Sequence, residues 1–137
     1  MSMLRVIIGA FSVLHGLVHL LYFGQSQRIF ELQPGLAWPD GSWAFSKLFG
    51  LESSRIIASI SLVIVALLFL VGGFGIFIKQ AWWRAVVIIS ASLSTIIYLL
   101  FWDGNLNKFD QKGGVGILIN LVILTSVLIF HWPEFDF

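Results

Sequence analysis

The sequence predicts an all-α fold: an integral membrane, antiparallel four-helix bundle with a short interfacial helix in its first loop. Two observations lead there. Of the 137 residues, 58% are hydrophobic and only 11% are charged, whereas a soluble domain carries about 25% charged residues. Mean hydropathy is +0.96. The apolar residues also fall into four long runs, 4–23, 55–78, 83–102 and 114–132. At the helical rise each run spans roughly 28–36 Å, the thickness of the hydrocarbon core. Barrel strands are shorter and alternate in polarity, and lipid leaves no partner for open backbone groups, so helices are the remaining choice.

Taken in order, the first run (LRVIIGAFSVLHGLVHLLYF) is longer than the apolar region of a secretory signal and is read as a retained helix. The long segment 24–54 follows. Its Pro34-Gly35 and Pro39-Asp40-Gly41 are turn signals. Ser42 then suits the cap of a short helix (SWAFSKLFGL) that puts Ala44, Phe45, Leu48 and Phe49 on one side. With Trp38 and Trp43 beside it, that composition fits a helix lying in the interface, or a lid over the bundle mouth. The second and third runs are joined by Lys79, Gln80, Ala81 and Trp82, which demands a hairpin. A polar, turn-rich loop, 103–113, leads to the fourth run. Both long connections fall on one face, the loop face, and the termini fall opposite. The chain reads as one domain, 1–137, crossing the cell membrane several times. Arg28, Lys47, Arg55, Lys108 and Lys112 on the loop face against Arg5, Lys79, Arg84 and the amino terminus opposite do not fix its orientation.

Composition excludes several functions. A net charge of +1 leaves no electrostatic footprint for nucleic acid. The absence of cysteine removes disulfides, iron–sulfur clusters and thiol-based membrane redox chemistry. What remains is a short list of polar groups at membrane depth, each a functional candidate. His15 and His19 share one helical face at i,i+4. The same spacing occurs in HExxH zinc motifs, but no Glu follows His15, and zinc takes at least three protein ligands. Zinc is therefore not expected. Haem is not expected either, because His131 closes the fourth run at the face opposite His19.

Depth selects the partners of the histidines. Counted along the helices, His15 falls near the midplane, His19 about 6 Å nearer the loop face, Asn120 roughly 10 Å inside that face and Tyr98 about 6 Å inside it. His15, His19, Tyr98 and Asn120 are thus the candidate ligand-binding residues, with Asp103 at the mouth to orient an imidazole or a ligand head group. The hydroxyls, among them Ser59, Ser90, Ser94 and Thr95, are read as bonding back to their own helices. Gly9, Ser12 and Gly16, the cluster Gly72, Gly73 and Gly75, and the group Gly113, Gly114 and Gly116 read as packing faces.

The segment LRVIIGAFSVLHGLVHL resembles the first helix of DoxX-like membrane proteins through Arg5, Gly9, His15 and Gly16. His19 and the WPDGSWAFSKLFG segment have no counterpart in that pattern. The resemblance implies a four-helix plan and a quinone-linked or accessory role in a membrane redox system. Two functions are chiefly expected from all this, with a His-dependent membrane enzyme as a third alternative. One is binding of an apolar ligand, a quinone being the candidate cofactor, in an intramembrane polar pocket. The other is a non-catalytic accessory subunit of a larger membrane complex, or a homo-oligomer, packing through small-residue helix faces. The lipid bilayer is the partner in either case.

Overall fold

The computed structural model describes residues 2–137, and among them every regular element is helical. Helix α1 is Met3–Ser26, α2 is Ser46–Phe77, α3 is Trp83–Leu100 and α4 is Gly114–Leu124. A 3-10 turn, Phe109–Lys112, precedes α4, and a π-helical turn, Thr125–Ile129, extends it. Three of these helices, α1 to α3, are long and apolar enough to cross a membrane. The fourth apolar stretch, Gly114–Ile129, is shorter than the 114–132 expected from hydropathy. It stops because His131 takes a left-handed backbone (φ 53°), while the Trp132 amide reaches back to the carbonyl of Ser126 at 2.9 Å.

The start of α2 also differs from expectation. Only one turn, Ser46–Phe49, remains of the separate short helix, and Gly50 (φ 79°, ψ 172°) joins it to the rest of α2 through a kink. That positive φ is cheap for glycine alone. At the front of α1, Ser2 caps the helix by accepting the Arg5 amide.

Polarity is arranged inside out. The buried face of α1 is Gly9, Ser12, His15, Gly16, His19 and Tyr22, all small or polar-tipped, whereas Leu14, Leu17 and Leu21 point outward. Leu14 is 62% exposed and Leu118 of α4 64%, while Asn120, two residues further on, is fully buried. In water this would waste the hydrophobic effect. Facing lipid it follows the rule that intramembrane polar groups turn inward.

Small residues set the closest approaches. A methyl added to Gly16 would meet Phe69 Cβ at 2.8 Å and the Ala66 carbonyl at 3.0 Å; one added to Gly73 would meet the Gly9 carbonyl at 2.9 Å. Backbones of α1 and α2 therefore touch over much of their length, and Ser12 adds a hydrogen bond to the Phe69 carbonyl at 3.1 Å. Helices adjacent in sequence pack on one another, α1 on α2, α2 on α3 and α3 on α4. No comparable packing joins α1 to α4.

The segment 27–45 folds over the ends of α1 and α3. Gln25, wholly buried, donates to the carbonyls of Leu36 (3.0 Å) and Trp38 (3.3 Å) and accepts the Leu32 amide (2.8 Å). Ser42 and Trp43 bond the carbonyls of Leu100 and Leu99 at 2.6 and 2.7 Å. Arg28 pairs with Asp40, and Lys108 donates to the Pro34 carbonyl at 2.8 Å. So tethered, Leu36 and Trp38 plug the bundle end, with the Trp38 ring against Tyr22 and Tyr98.

Candidate functional site

Three helices converge on one polar cluster. His15 Nε2 lies 2.9 Å from Asn120 Oδ1, Asn120 Nδ2 donates to Ser94 Oγ at 2.8 Å, and Ser94 Oγ lies 2.7 Å from His19 Nε2. His19 Nδ1 lies 2.9 Å from the His15 carbonyl one turn earlier. All four side chains are buried, His15 being the most accessible at 5%.

With neutral rings, hydrogen-bond chemistry allows one direction around this cluster. A carbonyl can only accept, so His19 Nδ1 carries the proton and Nε2 is the acceptor. Ser94 must then donate its single hydroxyl proton to His19. Ser94 consequently accepts from Asn120, which turns the Asn120 oxygen toward His15, and His15 donates through Nε2. The chain of donors runs from His15 through Asn120 and Ser94 to His19 and ends at a backbone carbonyl. The cluster is thus a clamp joining α1, α3 and α4.

Aromatic rings seal it. His15 stacks on Phe11 and meets the edge of Phe69, and His19 stacks between Phe69 (centroids 5.5 Å) and Tyr98 (5.7 Å). Tyr98 in turn packs on Tyr22 at 5.1 Å. Glycines of α4 allow this, since a Cβ on Gly113 or Gly116 would collide with the Tyr98 ring. Of the five residues singled out from sequence, the fold brings His15, His19 and Asn120 together and sets Tyr98 alongside. Asp103 goes elsewhere. Its carboxylate pairs with the buried Lys112 at 2.8 Å and accepts the Asn105 amide at 2.9 Å, holding the 103–113 loop in shape.

Ser94 is the member that sequence reasoning passed over with the other hydroxyls. For Ser90, Ser59 and Thr95 that treatment describes a real bond, each donating to the carbonyl four residues back at 2.6, 2.7 and 2.9 Å. Ser94 differs because it lies on the buried stripe Trp83, Val87, Ser90, Ala91, Ser94 and Tyr98, level with the histidines. That stripe, read together with the depth arithmetic, was the available signal.

Below the clamp, on the side of the termini, is a cavity of about 390 Å³. Ile8, Phe11 and Ser12 of α1, Phe69 and Ile76 of α2, and Trp83 and Val87 of α3 form much of its wall; α4 and its π turn contribute residues from Leu118 to Val127, and Trp132 and Pro133 close one end. The only hydroxyls among these residues are Ser12, already bonded to the Phe69 carbonyl, and Ser126. None of the five sequence candidates lines it. Their contact is indirect, through Phe11 and Phe69, which pack on His15 from the cavity's upper end.

No protein-family model, curated protein or solved structure matches this chain. Function has to be read from the geometry.

Proposed function

We propose that the chain is a multi-pass integral protein of the cell membrane, an antiparallel four-helix bundle that binds an apolar ligand in the cavity beneath its histidine clamp. Membrane insertion is supported by the inside-out polarity and by the three long apolar helices. The antiparallel plan is supported by the contacts of α1, whose Gly9 end meets Phe77 and Gly73 of α2 while Ser26 meets Ser59 at the other end. The turn Ser46–Phe49, with Leu48 and Phe49 exposed beside Trp43, suits the lipid–water interface.

The observation that carries the binding role is the cavity itself. A void of about 390 Å³ falls within the usual range of ligand sites, about 300–1,000 Å³. Left empty it would forfeit dispersion contacts over its whole lining. With only two serines and no charged residue in its lining, its best occupant is an apolar chain or ring. Quinones belong to that class, and the likeness of α1 to the opening of DoxX-like proteins leans the same way as part of this proposal. The polar cluster serves the site by fixing α1, α3 and α4 around it, rather than by touching the ligand.

An accessory role through small-residue faces has less to rest on. Gly9, Gly16 and Gly73 are occupied in the α1–α2 contact, Gly72 and Gly75 face Val87 and Trp82, and Gly113, Gly114 and Gly116 face Tyr98 and Phe109. The test is purification in mild detergent followed by mass spectrometry of extracted small molecules. A stoichiometric apolar compound supports the reading. A stoichiometric second subunit with no bound compound supports the accessory role instead.

A further inference from the structure

The cavity has two borders of different character. On one side the backbones of α1 and α4 stand further apart than those of every other neighbouring pair. Phe11 of α1 and Leu118 and Val122 of α4 edge that gap, and all three are exposed on the helix surface. Between Val6 and Phe23, and again from Gly114 to Phe130, the sequence carries no Asp, Glu, Lys or Arg. At the end nearest the termini the border is built differently. Trp132 and Pro133 line it, Phe135 packs on Trp83 at 5.5 Å, and Arg84 donates to the carbonyls of His131 (2.9 Å) and Pro133 (2.7 Å).

We infer that ligand exchange passes sideways through the slot between α1 and α4, so that the occupant is a bilayer-dissolved molecule with an apolar chain, and that the C-terminal segment latched by Arg84 seals the cavity from water. The inference rests on the proposed binding role and names the ligand class and its route. A chain sliding from lipid into this cavity moves between two apolar surroundings and desolvates nothing. A water-borne ligand would have to displace Trp132 and Pro133 and break two hydrogen bonds from a guanidinium, the stronger kind of bond. The clamp leaves the upper end of the slot closed, because the His15–Asn120 bond crosses from α1 to α4 there.

The absence of native cysteine makes the test clean. The protein in phosphatidylcholine vesicles is titrated with a decyl-substituted benzoquinone, read by saturable quenching of its tryptophans. Leu118→Cys is compared before and after coupling to a bulky maleimide, and Arg84→Gln is compared with the parent. The expected result is exchange slowed about tenfold by the coupled group, the scale on which apolar sites discriminate small steric changes. Uncoupled Leu118→Cys serves only as the reference for its own coupled form, and Arg84→Gln should exchange the probe as the parent does. In the Arg84→Gln background a cysteine at Val87 should become reactive to a membrane-impermeant maleimide, and in the parent background it should stay protected. Faster exchange in Arg84→Gln together with no effect of the group at 118 overturns the sideways route while leaving the binding role intact. No saturable quenching in any of the proteins overturns both.

Discussion

The clamp and the cavity occupy adjoining levels of one bundle and solve opposite problems. In the clamp four side chains are linked by hydrogen bonds in a fixed direction, and aromatic rings pack around them. In the cavity the walls are apolar, and the backbones of two helices are more widely spaced. Hydrophobic burial does not distinguish inside from outside in lipid, so helices are held by close packing and by hydrogen bonds. A bundle with a gap between α1 and α4 therefore needs a polar crosslink at the gap, and His15–Asn120 supplies it. Polar residues at membrane depth here define the shape of a site whose lining is something else.

Changes on the clamp side should cost stability. The largest effect is expected from Gly16→Val, which drives a branched side chain into Phe69 and the Ala66 carbonyl just where α1 carries both histidines. Overpacking of this kind costs about 1–3 kcal/mol and at times more, seen as loss of a cooperative melting transition in detergent. Asn120→Leu comes next. It strands the His15 N–H and removes the donor to Ser94, and it should lower stability by about 1–3 kcal/mol.

Ser94→Ala sharpens the comparison because it has a control on its own helix. Losing the bonds to His19 and Asn120 should cost about 1 kcal/mol, the scale of interhelical bonds in membranes. Ser90→Ala, which removes only a bond to the carbonyl of Val86, should change the melting temperature little. Asp103→Asn should have the smallest effect, about 0–1 kcal/mol for a partly exposed pair with Lys112. It should leave ligand binding unchanged, since the carboxylate holds a loop and no imidazole.

Much of the fold was legible because long apolar runs have few solutions in lipid. The positions of α1 and α3, and the end of α2, follow closely from the apolar runs, whereas α2 begins at Ser46 rather than at 55. The approach of Asn120 to the histidines follows from depth, since rise per residue is fixed whatever the side chains. Rotation about the helix axis is a different matter. The stripe of Ser90, Ser94 and Tyr98 marks one face of α3, but hydropathy did not show which neighbour that face would meet or that α1 and α4 would part. The shortening of α4 was hidden for a related reason. Residues 125–130 continue the apolar run, and the left-handed backbone at His131 ends the helix. The loop 24–54 showed its turns but not its tether. Gln25 looks like any residue leaving a membrane, yet its three hydrogen bonds are what draw Leu36 and Trp38 down over Tyr98. Asp103 was singled out as an acid following the third run, and its bonded neighbour Lys112 lies nine residues away across a turn.

The central claim is that clamp and cavity divide the work, one holding the helices and the other holding a ligand. Val127→Phe and Ser94→Ala test it directly when affinity for the decyl-substituted benzoquinone and melting temperature are measured on both proteins. Val127 lines the cavity and is buried, so the larger ring should fill the space, abolish saturable binding and leave the melting temperature unchanged or higher. Ser94→Ala should melt earlier and keep its affinity. Wild-type binding by Val127→Phe, or loss of binding by Ser94→Ala at an unchanged melting temperature, would contradict the division.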